Sequence, residues 1–558
     1  MFSPKQSSRF SLLFLFLILC LIAFSVKLVL IQVFRSEYLA NLAERQHNYF
    51  IELEPIRGTI FDRQLRPLAI NVAVYSLFAK PKVMTAAQKQ EVVKQLSSIL
   101  GKDPSFLQEL LSKKKYFVWL ARKLPIETTA KIKALKLAGL DFIKESKRYY
   151  PNASLAAHII GFADIDNKGL EGLERTNDKY LKGEMGWSQI LRDAKQRELL
   201  IEKSYVAPRN GFDLTLTIDE TIQYIAERAL NRGMEQHHAK SATIIVMDPR
   251  TGEILALANR PTYDLSQVAE SSIESRTNRA LAYVYEPGSV FKIVTASAAL
   301  EEKVFTETDK FFCENGSFRV GNHTLHDHHS HGTLTFSEVF EESSNIGVTK
   351  IAMKLGADKV YEYADRFRFG KLTGINLAGE VRGMLKTPSV WSKTSIGAIP
   401  IGQEVTVTPM QLVCAISAIA NDGVYMKPYV VKYVKDQSGE IIKENHPETV
   451  AQVITPETAN RVKMILNRAV ENGTGKLAMI EGVKVAGKTG TAQKVIDGTY
   501  SHGKYFASFI GFAPLENPKL AVVVVFEEPK GTYFGGTVSA PVFKEVVENT
   551  LKYLEIKS

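Results

Sequence analysis

The sequence predicts a mixed α/β protein, in which an antiparallel sheet is covered by helices and is preceded by a second domain and a single membrane-spanning helix. Three observations lead to this prediction. A nearly continuous apolar stretch lies at residues 10–34. The 558 residues are too many for one ordinary hydrophobic core, so we expect more than one domain. Near the end of the chain, strand-like runs with short connections precede a helix pattern, which is typical of an antiparallel sheet packed against helices.

The N-terminal apolar stretch has the length of a membrane span. Phe10 to Val26 is almost wholly apolar, and the pattern continues after Lys27, whose side chain can snorkel to the interface. No small-x-small cleavage site follows, so we expect a retained anchor and not a cleaved signal peptide. We therefore predict a tail at residues 1–9 and a transmembrane helix at residues 10–34. Basic residues flank both sides of the span, so charge alone leaves the orientation open.

Residues 36–205 are predicted to form a non-catalytic domain of mixed helices and strands. Alternating apolar residues around Arg57 and Asp62 indicate two strands joined by a charged turn. Two amphipathic helix patterns follow, and the second opens at Asp103. The segment contains no plausible pair of nucleophile and base, so we assign no chemistry to it.

Residues 206–558 are predicted to form the catalytic α/β domain. An alternating strand ends at Thr217, whose spacing to Glu220 predicts a capping box for the next helix. Residues 242–261 are typical of two apolar strands around a turn, and apolar helices fill the middle of the segment. Three strand-like runs between residues 482 and 526, and a helix beginning at Ala540, complete the pattern.

Charge and cysteine content argue against two classes of protein. The formal net charge of +10 is distributed over a long chain without a dense basic block, and the longest lysine run, Lys113–Lys115, is interpreted as a solvated surface. We therefore expect no nucleic-acid partner. Three cysteines argue against a disulfide framework. Cys20 lies in the apolar stretch and Cys414 in a helix pattern, so we expect both to be packed as small apolar side chains.

The chemistry is predicted to lie in three short motifs that follow one another along the chain. Ser289 and Lys292 come directly after a Pro-Gly turn where a helix begins, so both side chains leave from one face of that helix. The second motif contains Ser343 and Asn345, and the third is the segment Lys488–Thr491 at the end of an apolar run. The pairs Ser112/Lys115 and Ser501/Lys504 have the Ser-x-x-Lys spacing without this context, and we interpret them as chance.

These residue types suit acyl transfer by a serine nucleophile. Ser289 needs a base to take its proton, and Lys292 can act as that base only as the free amine. Burial or a nearby cation must therefore lower the pKa of Lys292, and Lys488 is a candidate for that cation. Ser343 can relay a proton between the lysines and a leaving amine, while Asn345 can hold a substrate amide.

Thr489, Gly490 and Thr491 are predicted to bind the substrate. Gly490 would let an edge strand approach a substrate backbone closely. The N–H groups of Ser289 and Thr491 are the expected donors to the oxyanion that forms during acyl transfer. We expect no metal and no cofactor.

The motifs Ser-x-x-Lys, Ser-x-Asn and Lys-Thr-Gly resemble the signature of penicillin-binding proteins and class A β-lactamases, although Ser344 stands where the Ser-Asp-Asn form has Asp. The whole chain is similar to the class B penicillin-binding proteins, and most closely to the division-specific peptidoglycan transpeptidases of FtsI type. The segments that follow family patterns are RGTIFDRQLRPLA, GLEGLE, YEPGSVFK, IPIGQEVTVTPMQL and GKTGTAQK. Leu65 departs from the pattern, which usually has Gly there, so we expect that turn to differ.

The resemblance implies a fold and a reaction. The fold would be a penicillin-recognising serine transpeptidase domain with a helical subdomain, carried on an elongated N-terminal pedestal domain. A stem peptide ending in D-Ala-D-Ala would acylate Ser289 and release D-alanine, and the amine of a neighbouring stem peptide would resolve the acyl-enzyme into a cross-link of the septal cell wall. β-Lactams would acylate the same serine. The family uses no metal.

The resemblance also implies a location and partners. The protein would be a single-pass protein of the cytoplasmic (inner) membrane, with a short cytoplasmic tail and a periplasmic or extracellular catalytic domain. Its partners would include peptidoglycan stem peptides, a membrane glycosyltransferase and other division proteins.

Four other classes of protein share part of this pattern. A β-lactamase is typically one small domain, and about 200 additional residues before the catalytic domain argue against it. A β-lactam sensor usually has several membrane spans and a signalling domain, and the sequence shows no sign of either. A catalytically inactive division scaffold is disfavoured by the intact motifs. An elongation-type transpeptidase stays open, although Lys-Thr-Gly, where elongation types often have Lys-Ser-Gly, favours division.

The segment HTLHDHHSH carries five histidines beside Asp327 and belongs to no family pattern. The histidines are His323, His326, His328, His329 and His331. Such tracts can bind metal, but the spacing is not diagnostic of a ligand set, and we favour a polar loop before the Ser343 helix.

Overall fold

The computed structural model describes residues 4–39, 48–192 and 198–555. The helices are α1 (Pro4–Val29), α2 (Ala86–Leu100), α3 (Pro104–Ser112), α4 (Ile126–Ala134), α5 (Ala157–Ile160), α6 (Gly172–Thr176), α7 (Asp178–Leu181), α8 (Glu220–His237), α9 (Ile273–Arg276), α10 (Arg279–Ala282), α11 (Lys292–Glu301), α12 (Phe336–Glu341), α13 (Asn345–Leu355), α14 (Ala357–Arg366), α15 (Ser395–Ala398), α16 (Pro409–Ala420), α17 (Pro456–Glu471) and α18 (Gly535–Tyr553).

The strands alternate with these helices along the chain. They are β1 (Asn48–Leu53), β2 (Ile60–Phe61), β3 (Pro67–Ala79), β4 (Val118–Leu124), β5 (Leu140–Tyr149), β6 (Gly186–Arg192), β7 (Glu198–Val206), β8 (Asp213–Leu216), β9 (Ser241–Met247), β10 (Ile254–Arg260), β11 (Lys310–Phe312), β12 (Ser317–Val320), β13 (His323–His326), β14 (Thr333–Thr335), β15 (Val424–Met426), β16 (Val431–Lys435), β17 (Ile441–Glu444), β18 (Thr449–Gln452), β19 (Ala486–Ile496), β20 (Thr499–Ala513) and β21 (Leu520–Glu527).

The first of two compact units comprises Met1–Ile56 and Gly183–Asn210. Its apolar helical stretch, Arg9–Phe34, has a mean hydropathy of 2.9 and exposes its apolar side chains, as a helix surrounded by lipid does. Cys414 is buried, as predicted for a packed small apolar side chain, whereas Cys20 is exposed on this helix, because a membrane span presents its side chains outwards. Strands β1, β6 and β7 form an antiparallel sheet in the same unit.

The second unit comprises Arg57–Lys182 and Gly211–Ser558, and its centre is a five-stranded sheet in the order β10-β9-β21-β20-β19. Every neighbouring pair in this sheet is antiparallel, as predicted from the short connections. Strands β9, β10 and β21 are buried along their whole length, which explains their near-continuous runs of apolar residues. Strand β19, which carries the third motif, lies at the edge.

Helices cover both faces of this sheet, again as predicted. On one face, α8 and α18 pack around a core that includes Ile244, Val524 and Phe543. On the other face, α16 and the apolar α11 belong to a larger core that includes Ile245 and Val523. Because Ile244 and Ile245 are successive strand residues, their side chains serve opposite cores.

Two predicted helix starts were wrong. The final helix begins at Gly535 and not at Ala540, with Pro541 inside it. Helix α8 is capped by Asp219, whose carboxylate accepts hydrogen bonds from the backbone of Thr221 and Ile222, and not by Thr217. The Thr217 hydroxyl group instead donates to the Ile254 carbonyl oxygen at 2.7 Å, because strand packing brings β10 against it.

Residues 67–150, here called the basic lobe, have a hydrophobic core of their own. Strand β3 pairs with β4 and with β5, and helices α2, α3 and α4 pack on one face of these strands. The core includes Leu77, Leu96, Leu107, Leu120 and Ile132. Helix α2 begins with a capping box between Thr85 and Gln88, and α3 begins after Asp103, as predicted.

The net charge of the chain is concentrated in this lobe. Residues 67–150 contain 16 Lys and Arg and six Asp and Glu, a net charge of +10, which equals that of the whole chain. The expectation that charge is distributed without a basic block was therefore wrong. The lysines are separated along the sequence and form no long run, but strands and helices of one small lobe gather them.

A buried group of charges, here called the paired cluster, lies beside the basic lobe. The Arg57 guanidinium group is fully buried and contacts Glu174 at 2.6 Å and Asp178 at 2.7 Å. Arg148 contacts the other Glu174 oxygen atom, also at 2.6 Å. Two arginines thus face two carboxylates, so the charges compensate one another within the protein.

The turn between β2 and β3 contains Leu65. Its φ is 63°, in the left-handed region that glycine adopts without strain. The Asp62 carboxylate holds the turn by accepting hydrogen bonds from the backbone of Gln64 and Arg66, both at 2.8 Å. The turn therefore has a conformation suited to glycine although the residue is leucine.

Candidate active site

Ser289 lies in a 3₁₀-helix, Gly288–Phe291, that leads directly into α11. Gly288 has a φ of 59°, and a Cβ atom there would lie 3.0 Å from the Thr491 carbonyl oxygen, so the turn requires glycine. The neighbours Gly288 and Val290 are buried, whereas Ser289 is partly exposed. The turn thus presents one hydroxyl group at the surface, next to strand β19.

Lys292 is the first residue of α11 and is fully buried. Its Nζ atom lies 2.6 Å from the Ser343 carbonyl oxygen, 2.8 Å from Asn345 Oδ1 and 3.2 Å from Ser343 Oγ. The structure therefore brings the first and second motifs together. Among the described residues, no hydrogen bond joins Ser289 to Lys292; contacts of this kind often tighten only when substrate binds.

Lys488 brings the third motif to the same place. Its side chain is also buried, and its Nζ atom lies 2.8 Å from Ser343 Oγ. The Ser343 hydroxyl group is therefore within hydrogen-bonding distance of both lysines. A free Lys292 amine has two N–H donors for the Ser343 carbonyl oxygen and Asn345 Oδ1, which leaves its lone pair to take a proton from a hydroxyl group. Lys488 can at the same time donate to Ser343 Oγ.

Burial makes both lysines weak bases. It lowers the pKa of Lys292 well below its usual value, and the nearby Lys488 lowers that pKa further, whereas the Asp327 carboxylate opposes the shift. Burial alone lowers the pKa of Lys488 to about 7. These are the two causes that the sequence analysis required for a free Lys292 amine.

Ser343 has an unusual backbone conformation between helices α12 and α13. Its φ is 58°, in the left-handed region, where a non-glycine residue is strained by about 1–2 kcal/mol. The next residue, Ser344, caps α13 by accepting a hydrogen bond from the Gly347 N–H at 2.9 Å. Ser344 therefore serves as a helix cap at the position where the Ser-Asp-Asn form has Asp.

Asp327 is a residue of the site that the sequence analysis did not identify. Its carboxylate accepts hydrogen bonds from the Asn345 N–H at 2.5 Å, the Ile346 N–H at 3.0 Å and the Ser344 hydroxyl group at 2.6 Å. It thus satisfies free N–H groups at the start of α13 and fixes the second motif. A capping contact from 18 residues away leaves no local sequence signal; the Asp within the histidine tract was the only indication.

The third motif packs closely against the Ser289 turn. A Cβ atom at Gly490 would lie 2.4 Å from Ser508 Oγ and 2.8 Å from Val290 Cγ1, so glycine is required here by the protein's own packing. Thr489 is buried, and its hydroxyl group lies 2.7 Å from that of Thr474. Thr491 is partly exposed, and its hydroxyl group accepts a hydrogen bond from the Gly535 N–H at 3.1 Å.

A row of aromatic rings borders the third motif. Tyr505 and Tyr533 stack with ring centroids 4.0 Å apart, and Tyr533 lies 4.5 Å from Phe534. Phe534 precedes Gly535 and contacts the His328 ring at 5.2 Å. The rings therefore connect His328 of the histidine tract to strand β20.

The histidine tract is not one loop. His323–His326 form strand β13, which pairs with β12, and only the following residues form a loop. Burial lowers the pKa of His328, and Lys292 and His329 lower it further. Within the described ranges, no group of three or more His, Cys, Asp or Glu side chains is placed to hold a metal ion.

The two other Ser-x-x-Lys pairs make contacts outside the site. Ser112 donates a hydrogen bond to the Glu109 carbonyl oxygen, and Lys504 forms an ion pair with Glu528 at 3.6 Å.

Two family models match the chain. The penicillin-binding protein transpeptidase domain matches residues 242–548, and the penicillin-binding protein dimerisation domain matches residues 52–216. All three motifs lie inside the first match.

Similar proteins cover nearly the whole chain. Stage V sporulation protein D of Bacillus subtilis is 36% identical over 98% of this chain and 86% of its own length. The peptidoglycan D,D-transpeptidase FtsI of Escherichia coli is 32% identical over 99% of this chain and 92% of its own length.

Two solved structures are also similar. A peptidoglycan synthetase from Bifidobacterium adolescentis superposes with a TM-score of 0.74 and 26% identity, covering 92% of this chain and 98% of that protein's chain. Penicillin-binding protein 3 from Mycobacterium, complexed with aztreonam, superposes with a TM-score of 0.72 and 27% identity. The superposition covers 91% of this chain and 98% of that protein's chain.

Proposed function

The chain belongs to the class B penicillin-binding proteins, and on that premise we propose that it is a peptidoglycan D,D-transpeptidase that cross-links stem peptides of the septal cell wall. The observation that carries this proposal is the convergence of Lys292, Ser343, Asn345 and Lys488 beside the Ser289 turn. These residues come from three distant segments, and they supply a nucleophile, a weakly basic amine and a proton relay.

Acylation begins with Ser289. Its Oγ atom attacks the carbonyl carbon of the penultimate D-alanine of a donor stem peptide, and the free Lys292 amine takes the proton. The N–H groups of Ser289 and Thr491 stabilise the oxyanion, and removal of one such donor typically costs about 3 kcal/mol of transition-state stabilisation. The C–N bond then breaks, and the proton passes through Ser343 to the leaving amine of D-alanine.

Deacylation repeats these steps with a different amine. The amine of a neighbouring stem peptide attacks the acyl-enzyme ester, loses its proton to the lysine pair, and forms the cross-link as Ser289 regains its proton. Asn345 holds a substrate amide, and Thr489 and Gly490 form the strand segment along which the substrate lies. A β-lactam acylates Ser289 by the same first step.

We further propose the domain boundaries and the setting. The tail comprises residues 1–9, the anchor 10–34, the pedestal domain 36–205 and the transpeptidase domain 206–558. Within the described residues, one helix, Arg9–Phe34, is long and apolar enough to cross a membrane, which supports a single-pass protein of the inner-membrane type. The catalytic domain is assigned to the periplasmic or extracellular side, because the cell wall lies there. A membrane glycosyltransferase and other division proteins are the proposed partners.

The acyl-enzyme provides the direct test. After reaction with a labelled penicillin, mass spectrometry of proteolytic fragments is expected to find the adduct on Ser289, and Ser289→Ala is expected to abolish both the adduct and D-alanine release. Ser501→Ala, which alters a pair of the same spacing outside the site, should leave both unchanged. An adduct elsewhere, or D-alanine release by Ser289→Ala, would exclude the proposal, and an adduct without D-alanine release would favour an inactive scaffold.

A further inference from the structure

Five lysines and three aromatic rings meet at one end of the basic lobe. We call this group the lysine–aromatic tip; it comprises Phe78, Lys80, Lys82 and the segment Lys113–Phe117. The Lys82 N–H donates to the Lys115 carbonyl oxygen at 3.0 Å, which joins the two parts of the tip. The tip is therefore a defined surface and not a set of lysines scattered on separate loops.

Tyr116 and Phe117 are exposed, whereas Phe78 beneath them is buried, and lysine ammonium groups lie over the Tyr116 and Phe78 rings. Lys82 Nζ lies 4.4 Å from the Tyr116 ring centre, and Lys80 Nζ lies 5.5 Å from that of Phe78. Phe117 stacks on Phe78 at 4.6 Å. Tyr116 is 48% exposed and Phe117 is 41% exposed, so the protein's own core does not explain their presence.

The carboxylates of the lobe do not neutralise the tip. Glu145 pairs with Arg122 at 2.8 Å, and Asp103 caps α3. At the tip itself, Asp141 contacts Lys80 at 3.1 Å and Glu109 lies 3.8 Å from Lys113. The three remaining tip lysines, Lys82, Lys114 and Lys115, are exposed and form no ion pair with any residue that the structure describes.

Resting on the proposed transpeptidase activity, we infer that the lysine–aromatic tip is a docking surface for the peptidoglycan polymer, separate from the site at Ser289. The charges are complementary, because each stem peptide that has not been cross-linked ends in a carboxylate. The sugar rings of the glycan offer C–H faces that can pack on exposed aromatic rings. A second contact with the same polymer raises the local concentration of stem peptides at the catalytic domain.

The distribution of charge favours a polymer over a bilayer surface. Beyond the tip, Lys131 on α4 and both Lys144 and Lys147 on β5 are also exposed. A flat membrane can contact only one side of the lobe at a time. A flexible chain that carries repeated carboxylates can follow lysines that lie on several elements.

Co-sedimentation with purified insoluble peptidoglycan tests this inference. The full chain, held in nanodiscs of zwitterionic lipid, is compared with a tip variant that carries Lys82→Glu, Lys114→Glu and Lys115→Glu. The tip variant is expected to bind about tenfold more weakly, the combined effect of three reversed surface charges. Raising the salt concentration should weaken binding of the unaltered chain several-fold. Penicillin acylation should be unchanged in the tip variant, which shows that the catalytic domain is folded.

Matched variants separate this inference from a general charge effect. Lys354→Glu, Lys443→Glu and Lys476→Glu change three exposed lysines outside the lobe by the same charge, and that variant should bind normally. Replacing the three tip lysines by Arg should also preserve binding, since the charge is kept. Equal losses in the tip and control variants, or full binding by the tip variant, would overturn the inference.

Two further results have defined meanings. If the tip variant loses binding to phosphatidylglycerol vesicles but keeps binding to peptidoglycan, the surface docks on lipid and the inference is wrong. Ser289→Ala should co-sediment like the unaltered chain, because docking needs no acylation. Normal docking by a chain that proves inactive would therefore contradict the proposed function and leave the docking surface intact.

Discussion

Arg57 and Lys292 are both fully buried, but their surroundings differ. Arg57 contacts the carboxylates of Glu174 and Asp178. Lys292 contacts the carbonyl, hydroxyl and amide oxygen atoms of Ser343 and Asn345, and a second lysine, Lys488, shares the Ser343 hydroxyl group with it. In the first case the carboxylates stabilise the cation, whereas in the second the surroundings favour the free amine. Burial is thus compatible with a charged Arg57, whose pKa is raised, and favours a free Lys292 amine, whose pKa is lowered, according to the partners of each group.

The largest expected effect separates the two cations directly. Lys292→Arg keeps a positive charge but cannot provide a free amine, so the rate of acylation by labelled penicillin should fall by about 10³-fold. Arg57→Lys, the reciprocal exchange in the paired cluster, should acylate at nearly the normal rate because it leaves Ser289 and Lys292 unchanged. Acylation by Lys292→Arg within tenfold of normal would contradict the free-amine role.

Removing the charge of Arg57 should destabilise the protein. Arg57→Met leaves the buried Glu174 carboxylate with Arg148 as its remaining arginine and the partly exposed Asp178 without Arg57, and we expect the free energy of unfolding to fall by about 3–5 kcal/mol. Denaturant unfolding followed by tryptophan fluorescence measures this change. Arg209→Met provides the control, because Arg209 and Glu184 are 84% and 72% exposed and such pairs contribute less than about 1 kcal/mol. Equal losses in the two variants would show that burial of the pair does not matter.

Removing the charge of Lys488 should instead stabilise the protein. Lys488→Met relieves the cost of a buried, unpaired cation and is expected to raise the free energy of unfolding by on the order of 3 kcal/mol at pH 7. The pKa of Lys488 is about 7 in the folded chain against 10.5 for an ordinary lysine, so between these values the unfolded chain binds more protons. Stability of the unaltered chain should therefore rise as the pH increases from about 7 to 10.5.

The Lys488→Met variant should lose that part of the pH dependence. Its gain in the free energy of unfolding is largest at or below pH 7 and disappears above pH 10.5. Acylation is expected to be impaired, because the cation beside Lys292 is gone. A variant that is less stable than the unaltered chain at pH 7 would mean that Lys488 is stabilised by its hydroxyl and carbonyl partners, and the contrast with Arg57 would fail.

The smallest expected effect lies in the turn between β2 and β3. Leu65→Gly should raise the free energy of unfolding by about 1 kcal/mol, because glycine adopts the observed φ of 63° without strain. Leu65 is 58% exposed, so little packing is lost. Leu65→Ala keeps the backbone strain and should not raise the free energy of unfolding. Neither variant should change the rate of acylation. A gain of equal size in both would trace the effect to the exposed leucine side chain.

The elements of the catalytic sheet were predictable because their signals are local. The hairpin β9–β10 and strands β19–β21 are apolar runs between turn residues, and the sequence shows both the runs and the turns. The residues of the three motifs were identified for a related reason: Ser289 and Lys292 are neighbours on one helical turn, and Lys488 follows an apolar run. Their meeting at Ser343 follows from tertiary structure.

The features that escaped prediction depend on contacts between distant segments. Asp327 caps a helix that begins 18 residues later, and the Thr217 hydroxyl group donates a hydrogen bond to the Ile254 carbonyl oxygen on another strand. Gly490 is required by the approach of Val290, which no strand pattern reveals. The charge of the basic lobe was missed because its lysines are separated along the sequence, although the structure places them together.

The order of strands in the catalytic sheet has a consequence for biosynthesis. Strand β21, Leu520–Glu527, lies between β9 and β20. The early hairpin β9–β10 therefore keeps an unpaired apolar edge until nearly all of the 558 residues have been made. An unfinished chain presents this edge to other molecules, and such long-range pairing is slow to form. We therefore expect the unfinished chain to need protection of this edge, and a product that stops before Leu520 to have an open β9 edge where the complete sheet has its central strand.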